Sequence, residues 1–211
     1  MGPLLERSPA TQISPRPFSK LSHNHRVSHT NQLVWEELPS APQPRLDAGG
    51  LQIGHLLYCV GGYATQEEVL SVVDIFDLTS CQWVRRIAVP SEFPQSHFAM
   101  ACEADRYVYI AGGQPGPRCR PAISKVFVWD LDEKTWRFLP PLPEPRYAPT
   151  MQFFRGRLHL IGGAKPDRYT PVDDHLSLGV AGGRALEQSW RTEPPIPRGG
   201  MHRCSAVIND R

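Results

Sequence analysis

A chain of 211 residues with 22 prolines and 17 glycines suits one ordinary domain of many short strands and turns, and argues against a helical protein. Its net charge of +2 is too small to point to nucleic acid, and no apolar run of about 18 residues is present to cross a membrane as a helix. Five scattered cysteines (Cys59, Cys81, Cys102, Cys119 and Cys204), odd in number and without a C-x-x-C pair, read as reduced thiols and not as a disulfide framework or zinc site.

Residues 1–32 carry Pro3, Pro9, Pro15 and Pro17, many Ser and Thr, and Arg7, Arg16, Lys20 and Arg26 against Glu6 alone. No strand or helix period runs through them, so a disordered basic segment is expected. The sharper alternative, a transit peptide, is weakened by the prolines. His23, His25 and His29 lack a nearby carboxylate or cysteine and are not read as a metal tract. Leu33–Leu38 (LVWEEL) reads as an outer strand that arrives before any unit has begun.

Three similar units follow. Each ends an apolar strand on two glycines, at Gly61-Gly62, Gly112-Gly113 and Gly162-Gly163, and each reaches a tryptophan some twenty residues later, at Trp83, Trp136 and Trp190. Two independent markers with one period indicate a repeat architecture. The first unit predicts strands near Leu46–Ile53, Leu56–Gly61, Val72–Asp77 and Gln82–Ala88, and the second repeats them from His97 to Arg137. Asp77 precedes Trp83 by six positions, as Asp130 precedes Trp136, so one hairpin length serves both. The third unit, centred on EPRYAPTMQFFRGRLHLIGG with a turn at Arg155-Gly156-Arg157, has five extra residues around Ala181-Gly182-Gly183 and predicts a longer outer hairpin. Residues 196–211 start a fourth unit with an inner strand near Arg203–Ile208.

The stretches LLYCVGG with VVDIFDLTSCQW, YVYIAGG with KVFVWDLDEKTW, and RLHLIGG with DHLSLGVAGGRALEQSW resemble the kelch motif. The resemblance implies an all-β fold, a kelch-type β-propeller of the galactose oxidase/kelch superfamily, closest to plant kelch repeat-containing proteins. On this reading residues 33–211 hold blades at about 45–90, 96–141 and 146–195, a leading outer strand and a trailing inner strand. Propellers close with about four to eight blades, so the arc reads as part of a ring. Its two raw faces imply missing blades, or self-association through apolar patches. For full-length relatives the resemblance implies a secretory-pathway or Golgi membrane location through an N-terminal hydrophobic anchor; without such a run in this sequence, a cytosolic location is the default expectation.

The glycines Gly61, Gly62, Gly112, Gly113, Gly162 and Gly163 are expected to serve backbone geometry where blades crowd, with no phosphate cradle because no helix follows them. Trp83, Trp136, Trp190, Phe76 and Trp129 are expected to pack between blades. Arg45 and Arg146 stand sixteen positions before a diglycine, and Arg198 would place another near position 214; Ser96 stands where the second unit should carry its arginine. Two readings of Arg45, Arg146 and Arg198 stay open, ties to backbone carbonyls and carboxylates or contacts to a partner. Arg118, Arg120, Lys165 and Arg168 follow the diglycines and are the better binding candidates. Together they predict one basic loop face for an anionic peptide or carboxylate-bearing glycan, met by bidentate guanidinium contacts. No cofactor, copper set or catalytic motif is recognised, and Glu144 and His97 are the only acid/base candidates for the alternative, a carbohydrate-active kelch enzyme. A truncated product without independent function is the third reading.

Overall fold

A computed structural model describes residues 35–90, 93 and 96–208. The basic N-terminal segment with His23, His25 and His29, and the first two residues of LVWEEL, lie outside the described residues. The strands are β1 (Gly49–Ile53), β2 (Leu56–Val60), β3 (Tyr63–Thr65), β4 (Glu68–Val69), β5 (Val72–Asp77), β6 (Gln82–Ala88), β7 (Ala99–Glu103), β8 (Tyr107–Ala111), β9 (Val126–Asp130), β10 (Thr135–Leu139), β11 (Thr150–Phe154), β12 (Arg157–Ile161), β13 (His175–Ala181), β14 (Arg184–Ala185) and β15 (Arg191–Glu193). They form three antiparallel sheets ordered β1-β2-β5-β6, β7-β8-β9-β10, and β11-β12-β13 with β14 and β15 both on β13. β1 lies against β7, and β7 against β11, so the first strand of each sheet is the innermost. This is the all-β arc of propeller blades that the repeat implies.

Local chemistry sets the hairpins. Asp77 Oδ1 accepts from the Thr79 and Ser80 amides (2.7 and 3.2 Å), and Asp130 Oδ1 from the Asp132 and Glu133 amides (3.1 and 3.3 Å). Each aspartate closes the turn before its tryptophan, which is why the six-residue spacing recurs. The period-2 pattern then builds the core. Val108, Ile110, Phe127 and Trp129 pack toward blade one against Tyr58, Val60, Val73 and Ile75. The alternate residues Tyr109, Ala111, Val126 and Val128 pack toward blade three against Met151, Leu158, Leu160 and Leu178. Blade two is therefore apolar on both faces.

Three expectations need correction. No strand forms over residues 35–38, and Trp35 is 86% exposed. Among the described residues no sheet edge pairs with this segment, and a strand without a partner leaves its backbone groups to water. Residues 203–208 are not a strand either. They lie along blade three through side chains, with Gln152 Nε2 donating to Ser205 O (2.8 Å) and the Thr150 and Ser205 hydroxyls 2.6 Å apart. The outward side of blade three is polar, not apolar: His159 Nδ1 sits 2.9 Å from His175 Nε2, and Ser177 donates to Glu193 (2.5 Å) and accepts from Arg157 (3.0 Å).

The extra residues of blade three form the β13–β14 hairpin, whose Gly182 and Gly183 amides donate to the Glu103 carboxylate in blade two (2.9 and 3.3 Å). Behind the hairpin, Glu187 accepts a two-pronged contact from Arg157 (3.0 and 2.9 Å). That contact, helped by the Gly179 amide and Arg191, pulls the Glu187 carboxyl down to about 2. A depressed folded-state value stabilises the fold above the unfolded carboxyl's value of about 4.3, and the contribution is lost as pH falls through 2. Acid titration followed by near-UV circular dichroism is expected to show the wild-type chain losing structure in that window. Glu187→Gln should lose this pH-dependent component; an unchanged titration would refute it.

Candidate functional site

Two sets of loops open on the same side of the blades, those leading into the innermost strands and those following the diglycines. Backbone bridges Leu46↔Tyr63, Ser96↔Gln114 and Tyr147↔Ala164 join the two sets in each blade. The bridges make Leu46, Ser96 and Tyr147 equivalent, so Ser96 does not stand at the arginine position. The residue there is Gln95, which lies outside the described residues. Counting back from the diglycine failed because the β7–β8 turn has three residues, Ala104 to Arg106, where the β1–β2 and β11–β12 turns have two. At the fourth repeat, the Gly163 amide donates to Gly200 O as the Gly113 amide donates to Arg146 O, both at 2.8 Å. Gly200, not Arg198, is in register; Arg198 is exposed and makes no side-chain bond among the described residues.

Arg45 and Arg146 point inward. Arg146 is 3% exposed and donates to Asp174 (2.6 Å) and Gly162 O (3.4 Å). Arg45 donates to Cys59 O and Gly61 O (3.1 and 3.2 Å) and pairs with Asp74. Each ties its loop to its own blade, which leaves neither guanidinium for a partner. The diglycines lie where these loops press in. At Gly113 (φ +80°) a Cβ would stand 2.4 Å from Ser96 O, and at Gly112 (φ +68°) 2.8 Å from Arg146 O. Both the angle and the space exclude a side chain.

Two of the remaining predicted cations, Arg118 and Arg168, meet on the rim. The Arg118 amide donates to Gln66 O (2.8 Å) in the β3–β4 hairpin, and its Nε to Glu67 (2.6 Å). Arg168 reaches from blade three to donate to Arg118 O (3.1 Å) and to the Tyr169 hydroxyl (3.2 Å). Arg120 and Lys165 are exposed beside them in sequence, and Tyr169 is 72% exposed. The loops of three blades are thus stitched into one surface. Its charge is tempered where Glu67 neutralises Arg118.

Inside the rim lies a polar cluster that offsets in the sequence did not reveal. Gln114, fully buried, places Nε2 against the Tyr63 hydroxyl, 3.1 Å from Ser96 Oγ and 2.8 Å from His97 Nδ1. His97 stacks on Tyr147 at 4.6 Å and sets Nε2 3.0 Å from Asp47 Oδ2. Burial pulls the His97 imidazole down to about 4 against the opposing pull of Asp47, so it is neutral at pH 7. Burial likewise pushes the Tyr63 hydroxyl up to about 12. Burial would raise the Cys119 thiol, but hydrogen bonds with Tyr63, Gln114 and Arg168 outweigh it and lower it. Of the two acid/base candidates of the enzyme alternative, His97 has the Asp47 carboxylate beside it and Glu144 is exposed. Asp47, His97 and His202 are the described residues whose side chains could hold a metal ion together. The missed signal was positional: Tyr63 and Gln114 directly follow their diglycines, and Asp47 and His97 directly follow the bridge residues.

The kelch motif is matched over residues 44–85 and 98–143. The chain is a kelch-repeat protein. A kelch repeat-containing protein of Arabidopsis thaliana is 48% identical over 180 residues, covering 85% of this chain and 42% of that protein. An F-box/kelch-repeat protein of the same plant is 30% identical over 135 residues (62% of this chain, 37% of its own). Kelch-like protein 41b of Danio rerio is 26% identical over 141 residues (66% and 22%). This kelch chain spans less than half the length of these relatives.

Proposed function

We propose that the loop face binds an acidic segment of a protein partner, with Arg118, Arg120, Lys165 and Arg168 as charged contacts and Tyr169 as an aromatic anchor. Kelch repeats are in general protein-interaction scaffolds, and loops on a rigid β framework suit recognition. The observation that carries the reading is the Arg168 contact to Arg118 O at 3.1 Å, which gathers cations from two blades on one surface. Guanidinium groups held this way can meet carboxylates through paired hydrogen bonds. A carboxylate-bearing glycan offers the same chemistry, so two labelled probes separate the sources: oligo-glutamate and oligogalacturonate.

Oligo-glutamate is expected to bind, and to weaken as salt rises, because exposed charges are screened over about 8–10 Å at physiological ionic strength. Reversing Arg118, Arg120 and Arg168 to glutamate should lower affinity by a factor between about three and about a hundred, the sum of three exposed contacts of roughly 0.2–1 kcal/mol each. Preference for oligogalacturonate would move the reading to a glycan. Unchanged oligo-glutamate binding in the triple variant would place the site elsewhere.

A further inference from the structure

We propose that Asp47, His97 and His202 form a binding site for a divalent first-row transition-metal ion, with its open coordination position facing the cavity they line. This is independent of the charged rim and needs none of its arginines. The site follows from the repeat itself. The His97 amide donates to Asp47 O (3.2 Å), Ala148 to His97 O (2.9 Å) and His202 to Ala148 O (3.1 Å), so four successive repeats contribute equivalent residues to one backbone ladder. All four take left-handed angles, φ 53° at Asp47, 55° at His97, 45° at Ala148 and 52° at His202. Since Ala148 shares the angle, the loop sets the conformation, and the sequence sets which side chain is brought to the cavity. Three of the four are metal-ligand types.

Their ligand atoms lie within 4.8 Å of one another. A tetrahedral ion with bonds of about 2.0–2.1 Å needs ligand atoms about 3.3 Å apart. The His97–Asp47 pair already stands at 3.0 Å, and the exposed Asp47 and His202 side chains have room to close the rest. His97 is held from behind, as a ligating imidazole requires. Gln114 lies 2.8 Å from its Nδ1, Ser96 Oγ lies 3.3 Å away, and Tyr147 stacks on the ring. The Gln114 side chain is fully buried, yet its Oε1 has no partner while Nε2 crowds three groups. With Gln114 against Nδ1, Nε2 is the ring nitrogen turned toward Asp47. Ala48, Phe98, Ala148 and Pro149 complete a cavity of about 230 Å³, large enough for the ion and one further ligand. Two imidazoles and a carboxylate favour zinc-class ions over magnesium or calcium.

Equilibrium dialysis of the 211-residue chain with Zn²⁺, and the visible absorption of Co²⁺ as a substitute, test the site. One ion per chain is expected, with a Co²⁺ spectrum of nitrogen and oxygen ligation and no competition from Mg²⁺. Asp47→Asn and His202→Gln alter exposed side chains and should fold as the parent does; each should weaken Zn²⁺ binding about tenfold or more, the scale that even outer-shell losses reach. Lys165→Ala should leave binding unchanged, since its exposed side chain is no part of the site. Cys204, exposed two residues beyond His202, is the competing ligand. Loss of binding in Cys204→Ser with full binding in Asp47→Asn would overturn the proposal, as would absence of the Co²⁺ spectrum in the parent chain or its loss in Lys165→Ala.

Discussion

Asp74→Ala is expected to cost about 3–5 kcal/mol, the range for removing one partner of a buried ion pair. Asp74 is fully buried and accepts from two arginines at once, Arg86 through Nε and Nη2 (2.7 and 2.9 Å) and Arg45. The period of β5 turns Val73 and Ile75 toward blade two and Asp74 to the opposite side, so the triad sits on the outward face of blade one. Without Asp74, the Arg45 side chain, only 9% exposed, keeps two backbone carbonyls but no counter-charge. Its Nε is already buried without a partner. Arg86, 30% exposed, can turn to water and recover part of the loss. Urea denaturation of the two chains checks this; a midpoint shift equivalent to under about 1 kcal/mol would mean that water reaches the arginines in the folded state.

The three repeat tryptophans are expected to differ, although sequence position makes them equals. Trp190→Ala should cost about 3–5 kcal/mol. The Trp190 ring is 7% exposed, packs with Leu142, Leu176, Leu178 and Val180, and donates Nε1 to Pro140 O (2.9 Å). Trp83 donates to Pro39 O (3.1 Å) and meets Phe76 edge-on at 5.1 Å, but it is only half-buried, so Trp83→Ala should cost roughly 1–2 kcal/mol. Trp136 lies between, half-buried but stacked face to face on Trp129 at 5.0 Å. The expectation that all three are interblade core is therefore too uniform: the ring buried between blades one and two is Trp129, on the strand that pairs with that of Trp136. Equal losses in denaturant melts for Trp83→Ala and Trp190→Ala would contradict this grading.

The blades were legible because their determinants are local. The Asp77 and Asp130 turns, the alternation of VFVWD and RLHLI, and the diglycines before each third strand all act within one hairpin, where spacing along the chain and spacing in space agree. The register of the arginines was not legible. One added residue in the Ala104–Arg106 turn lies between the two markers being counted, so the offset of sixteen from Gly112 fell on Ser96 instead of Gln95.

What Arg45 and Arg146 do was equally out of reach, since sequence places an arginine in a loop but cannot say whether it turns inward to Asp74 and Asp174 or outward to a partner. By itself, then, the sequence determined the repeat and the all-β class. Only the tertiary structure brought Asp47, His97 and His202 together. Residues one or more blades apart become neighbours because successive blades stack their first strands side by side, and that nearness leaves no trace in any interval along the chain.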